Sequence, residues 1–232
     1  MIKKLLEWIY PWKCPGCGKL VPYGFCESCK RQIVEIHEPC CKKCGKPLDE
    51  DWQEYCYDCQ KKEQEYEQGR AVWLHRKGVK KAVYDFKYHN RRVYAEFFAR
   101  EMVRKYAHLL KFWEVEEIIP IPVSRKRRRQ RGYNQAALLA KELGKQTGIK
   151  VNDKSLVRVR DTRPQKKLSA RERKENLSKA FVWKGKQPPG RRILLIDDIY
   201  TTGATIDSNA RILKQAGARE VYFLTISIGQ GY

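Results

Sequence analysis

Ile193-Leu194-Leu195-Ile196-Asp197-Asp198-Ile199-Tyr200-Thr201-Thr202-Gly203-Ala204-Thr205-Ile206 is the stretch that decides how this chain is read. Four aliphatic residues in a row form a buried strand. Two carboxylates stand at its carboxyl end, where ligands bind in open α/β sheets. A turn rich in hydroxyls then opens a helix, and its free amides, together with the helix dipole, favour a phosphate. Gly203 permits close approach of the backbone. Adjacent Asp197 and Asp198 suit the vicinal hydroxyls of a ribose, or a hydrated Mg²⁺ on its pyrophosphate. A sugar phosphate satisfies both halves of the motif. A plain strand–turn–helix with acidic caps needs one such residue, not two acids, three threonines and a glycine in register.

Working outward, further periodic segments surround this one. Ala71 to His75 reads as a short strand, and Val79 to Leu110 as helix broken near Asn90. Val115 to Pro122 reads as a buried strand and Tyr133 to Lys145 as a helix ending before Gly148. Leu156 to Val159 and Phe181 to Trp183 read as strands on either side of a polar, basic stretch. Thr205 to Gln215 is a helix and Glu220 to Ile228 a last strand. Strands alternating with helices predict an α/β fold with a mainly parallel sheet. A polar helical run from Lys61 to Gln68 is expected to join it to what precedes.

Charge and cysteine divide the 232 residues sharply. Residues 1–69 hold 11 basic and 12 acidic side chains and all nine cysteines, whereas 70–232 hold 38 basic and 15 acidic, net +23. The expected organisation is a module over 1–60, a linker over 61–69 and a basic domain over 70–232. A field of that sign points to nucleic acid, phosphorylated ligands or anionic lipid. No run approaches the ~18 apolar residues of a membrane span. Glu7 and Pro11 cut the opening apolar run too short for a secretory signal, so a cytoplasmic location is expected.

Eight of the cysteines form four C-x-x-C pairs: Cys14/Cys17, Cys26/Cys29, Cys41/Cys44 and Cys56/Cys59. The tight turn inside each pair directs both sulfurs to one ion, and in the pairs Cys14/Cys17 and Cys41/Cys44 a glycine after the second ligand (Gly18, Gly45) lets the backbone curl around it. Two four-cysteine sites for tetrahedral Zn²⁺ follow, and four thiolates leave no open position, so the zinc is structural. The odd cysteine count and the missing secretory signal weigh against disulfides. Spacing leaves open whether the knuckles pair in sequence or cross over, and whether Cys40 replaces Cys41.

Two segments concentrate the positive charge. Arg125-Lys126-Arg127-Arg128-Arg129-Gln130-Arg131 holds six basic residues in seven, and Arg158 to Lys174 adds eight against Asp161 and Glu172. A pyrophosphate uses two or three of these, and a nucleic-acid backbone would use the rest. Tyr133 and Trp183 are candidate stacking faces, with a core role as the alternative.

The run from Ile193 to Ile206 resembles the signature by which type I phosphoribosyltransferases bind phosphoribosyl pyrophosphate (PRPP). Ile118-Ile119-Pro120-Ile121-Pro122-Val123-Ser124, leading through Arg125 to Arg131 into Gly132-Tyr133-Asn134-Gln135-Ala136, narrows the likeness. With Arg160 to Ser169, Arg171-Glu172-Arg173, Asn176 and the N-terminal knuckles, it resembles the ComF family of competence proteins (ComF/GntX type) over nearly the whole chain. That resemblance implies a phosphoribosyltransferase-like α/β domain behind a double zinc-ribbon. It implies that Asp197 and Asp198 contact the ribose with Mg²⁺ nearby. It also implies that Thr201, Thr202, Gly203, Ala204 and Thr205 hold the 5′-phosphate, and that the turn at Pro122, Val123, Ser124 and Arg125 holds pyrophosphate. A mobile loop around Arg163, Gln165, Lys166, Lys167, Arg171 and Arg173, together with Arg127, Arg128, Arg129 and Arg131, would meet DNA. The implied role is handling incoming single-stranded DNA in natural transformation, at the inner face of the membrane beside the uptake machinery. A DNA-translocating ATPase and a recombination mediator are the implied partners. An active transferase and a PRPP-sensing regulator are the other two readings.

Overall fold

The computed structural model describes residues 11–160 and 180–230. After the short helices α1 (Glu27–Lys30) and α2 (Tyr57–Lys61) come β1 (Gln68–Leu74), α3 (Lys77–Tyr88), α4 (Tyr94–Phe112) and β2 (Glu117–Pro120). Then follow α5 (Arg125–Arg131), α6 (Gln135–Thr147), β3 (Lys150–Val151), β4 (Leu156–Arg158) and β5 (Phe181–Trp183). The chain closes on β6 (Arg192–Tyr200), α7 (Ala204–Gln215) and β7 (Glu220–Ile228). Five strands make one parallel sheet in the order β1-β7-β6-β2-β3, while β4 and β5 pair antiparallel in a separate hairpin. The α/β architecture with a mainly parallel sheet is the one the alternating pattern predicts.

The central strands are apolar because both faces are covered. On β6, Leu194 and Ile196 join the core built by α3, α4 and α6, and Ile193 and Leu195 join the core built by α7. That two-residue alternation separates the two layers. The helix break near Asn90 is real: the residue has φ 52° and stands between α3 and α4.

The cysteine module straddles the edge of this sheet. Cys14, Phe25 and Cys29 belong to the α3/α4 core, whereas Ile36, Cys40, Cys41 and Cys44 belong to the α7 core. Between them, the Ile36 amide donates to Val72 O (3.1 Å) and the Leu74 amide to Val34 O (2.9 Å). Edge strand β1 therefore has its open side covered by the chain that joins the two cysteine clusters.

The polar run Lys61 to Gln68 is not a helix. α2 ends at Lys61 and β1 begins at Gln68. Tertiary contacts override local helix propensity here. The Glu65 amide donates to Asp207 Oδ1 (2.7 Å) and the Glu67 amide to Val221 O (2.7 Å). Glu65 and Glu67 pair with Arg211 (2.9 Å) and Lys214 (2.6 Å) of α7, and buried Tyr66 points the other way onto Tyr200 and Phe223. Such i, i+2 alternation is extended chain clasped to a helix.

Candidate functional site

β6 runs past its aliphatic core and delivers Asp197 and Asp198 to the carboxyl edge of the sheet. Asp198 is buried and Asp197 partly so, and the Asp198 amide donates back to Asp197 Oδ1 (2.8 Å). Desolvation and then the neighbouring Asp198 carboxylate push Asp197 up to about 7. The fields of Lys87 and Arg127 work in the opposite direction. Lys87 Nζ, on the last turn of α3, lies 2.8 Å from Asp198 Oδ1 with both side chains largely out of solvent. The acid pair is thus joined by a lysine that sequence reasoning missed. A signal existed: Lys87 stands four residues after buried Val83, so a charge occupies the inward stripe of an amphipathic helix.

His75, just past β1, is a second missed residue. Its Nδ1 is 2.9 Å from Ser227 Oγ, near the end of β7. Burial, and then Lys87, hold the imidazole below its ordinary value, so it is neutral at neutral pH.

After Tyr200 the chain turns through Thr201 and Thr202, both exposed, to buried Gly203. Gly203 has φ 76°, and a β-carbon there would come within 2.4 Å of Tyr200 Oη. The turn fits glycine for two independent reasons. Ala204 and Thr205 begin α7, whose first turn carries no side-chain cap among the described residues. Tyr200 is fixed from below by a 2.7 Å hydroxyl contact with Tyr66 and by stacking on Phe223.

Pro122 and Val123 are partly buried and Ser124 is buried. Ser124 caps α5 by accepting the Arg127 amide (3.3 Å), and Gly132 ends it in the left-handed region. The run Arg125 to Arg131 is therefore a helix, with Arg125, Arg127, Arg128 and Arg129 exposed and Arg131 half-buried. Cations fill its first turn, against the macrodipole, and repel one another along it. Of the two candidate stacking faces, Tyr133 is a core residue whose hydroxyl donates to Phe86 O, and Trp183 is half-buried with Nε1 bonded to Gln187 O (3.3 Å). Arg163, Gln165, Lys166, Lys167, Arg171 and Arg173 lie outside the described residues.

The knuckles pair in sequence. Cys14, Cys17, Cys26 and Cys29 form one cluster, and Cys41, Cys44, Cys56 and Cys59 another, with all sulfurs of a cluster within 4.8 Å. Cys17 and Cys26 sulfurs are 3.7 Å apart and those of Cys44 and Cys56 3.6 Å. Four sulfurs at the usual zinc bond length stand about 3.8 Å apart, so each cluster fits a tetrahedral Zn²⁺. Backbone amides support the fit: Cys26 N donates to Cys14 Sγ (3.3 Å) and Cys29 N to Cys26 Sγ (3.4 Å), as thiolates require. Gly18 and Gly45, each after a second ligand, have φ 83° and 74°. Cys40 is not in the cluster; its Sγ donates to Glu38 Oε1 (3.2 Å).

Residues 5–60 match the family described as double zinc ribbon domain. Over 215 residues the chain is 32% identical to competence protein F of Haemophilus influenzae, covering 90% of this chain and 92% of that one. It is 27% identical to the DNA utilization protein YhgH of Escherichia coli, with the same coverage. Competence protein ComFC of Streptococcus pneumoniae is 30% identical over 205 residues, 84% of each chain. With likeness running through ribbons and sheet alike, the chain belongs to the ComF family of competence proteins, the group that includes ComFC and YhgH.

Proposed function

We propose that this protein binds Mg-PRPP at the carboxyl edge of its sheet and handles single-stranded DNA in natural transformation. The observation that carries the reading is the acid pair of β6 running directly into a glycine-hinged, hydroxyl-bearing turn at an uncapped helix start. In this reading Asp197 and Asp198 accept the ribose hydroxyls, and Thr201 to Thr205 donate to the 5′-phosphate. Pro122 to Arg125 border the pyrophosphate. Mg²⁺ would neutralise that pyrophosphate, for which the two carboxylates are oxygen ligands of suitable hardness. Lys87, already on Asp198, holds the pair in place and supplies a cation to the site.

The DNA half of the reading rests on the basic excess and on relatives named for competence and for DNA utilization. A helix as self-repelling as α5 is stabilised by anionic neighbours, and a phosphate backbone supplies them. By family resemblance a DNA-translocating ATPase and a recombination mediator are its partners. Among the described residues no helix is long and apolar enough to cross a membrane.

Titration calorimetry with Mg-PRPP tests the site. The wild type binds, and Asp197→Ala/Asp198→Ala loses binding while keeping its zinc; retained affinity would put the site elsewhere. A second reading, transfer of the phosphoribosyl group to an amine or nucleobase, is favoured by His75, a neutral imidazole able to take an acceptor proton. Pyrophosphate release in a panel of nucleobases and amines supports transfer, and silence across the panel rejects it.

A further inference from the structure

Tyr84 and Tyr88 stand one helical turn apart on the outer face of α3, 53% and 44% exposed, with ring centroids 4.9 Å apart. His89 meets the Tyr84 ring edge-on at 5.4 Å. Rings held in water contribute little to the fold, so a contiguous aromatic patch marks a surface with a partner. The chemistry around it says which partner. From α5, the Arg131 guanidinium lies 4.6 Å from the Tyr88 ring centroid and Nη2 donates to Tyr88 Oη (2.7 Å). Its Nε–H is shielded from solvent and meets no acceptor among the described residues. Lys81, Arg91 and Arg92 are exposed nearby in sequence, and the single acid of α3, Asp85, is buried under Lys81 (2.5 Å) and His89 (2.8 Å). The patch is aromatic and cationic, and the one carboxylate that α3 carries is already paired.

That combination fits bases with free faces on a phosphate chain. A duplex hides its base faces by stacking, whereas single strands lay theirs on aromatic rings while cations follow the backbone. We propose that Tyr84 and Tyr88 are the stacking platform for single-stranded DNA, with Arg131 and the exposed arginines of α5 holding its phosphates. The proposal rests on the DNA half of the reading above and gives it a location. The next residue inward from Tyr88 is Lys87, bound to Asp198, so the strand would run past the mouth of the sugar-phosphate site.

The test is fluorescence anisotropy of labelled oligo(dT) with the zinc-loaded full chain. Tyr84→Ala/Tyr88→Ala is expected to weaken binding about tenfold or more, in line with loss of base–aromatic stacking. Tyr84→Phe/Tyr88→Phe keeps the rings and is expected to bind within about twofold of wild type. Photo-crosslinking with 5-iodouracil in the oligonucleotide should label Tyr84 or Tyr88. If the wild type itself fails to bind oligo(dT) at low salt, the DNA reading falls and the platform with it. If the wild type binds and the alanine pair binds equally, the platform is wrong and the DNA reading stands. Tighter binding of oligo(U) than oligo(dT) overturns the assignment to DNA. Should the alanine pair instead change the sedimentation of the free protein and leave oligo(dT) affinity alone, the platform is overturned and the patch serves a second copy of the chain.

Discussion

Asp197 keeps its proton to higher pH than an ordinary aspartate because it is desolvated and faces Asp198. Its folded value, about 7, lies above the unfolded one, so the native state holds a proton that the unfolded chain releases. The sign follows: the acid pair costs the fold stability as pH climbs from the normal aspartate range to about 7, and no more above that. Ribose hydroxyls or Mg²⁺ need the ionised form, so Mg-PRPP affinity is expected to rise steeply with pH below about 7 and flatten above it. Calorimetry at a series of pH values reads this, and Asp197→Asn should remove the contribution of the acid, leaving that of the ligand's own phosphates. Lys87→Met takes away a charge that lowers Asp197, so the midpoint should move to higher pH. A midpoint unmoved in Lys87→Met would show that the lysine does not act on the pair. The two acids were legible because they are neighbours in sequence. Lys87 and His75 were not, because a helix and a different strand end bring them there. Only the misplaced charge on the inward stripe of α3 announced the lysine.

Elements were legible where periodicity and packing agree. β6, α7 and β7 follow their apolar patterns, while the segment 62–67 defies its helical composition because α7 and β7 claim its amides and carboxylates. The basic run before Gly132 hid a helix, since seven residues with six cations carry no apolar stripe to read. Its caps, Ser124 and Gly132, were the available signal. If α5 meets the DNA backbone as proposed, its charge acts through counterion release, so replacing Arg127, Arg128 and Arg129 with alanine should flatten the salt dependence of oligo(dT) binding. The log–log slope is expected to fall by roughly 0.7 for each phosphate left without its cation. A slope equal to the wild type's would remove α5 from the DNA path. At the other end of the site, Gly203→Ala places a methyl against Tyr200 Oη at a positive φ. Denaturant unfolding should show a loss of more than about 1 kcal/mol, and Mg-PRPP affinity should fall with it as the turn shifts.

At the scale of the whole molecule, the cysteine module is built into the body. Trp12, Tyr23 and Phe25 interlock with Phe97, and Phe25 also meets Trp73. The second cluster lies in the same core as Tyr66, whose hydroxyl meets that of Tyr200 just before the Thr201–Gly203 turn. Sequence showed where cysteines end and basic charge begins, but composition holds no record of packing between the two parts. Metal binding is folding free energy for a segment with so little apolar surface of its own. Here the same surface also covers the open side of β1 and supports the floor under Tyr200. Chelation of the full chain should therefore release two zinc ions and destabilise the α/β body as well. Calorimetry is expected to show one cooperative transition, lowered by about 10 °C or more if the ribbons supply several kcal/mol. Cys44→Ser, which spoils the second cluster alone, should also weaken Mg-PRPP binding, because Tyr66 and Tyr200 lose their support. Cys17→Ser, in the first cluster and exposed, should lower stability with less effect on that affinity. Equal affinities in the two variants would mean that the second ribbon braces the fold without bracing the site, and a body that melts unchanged after chelation would make both ribbons appendages.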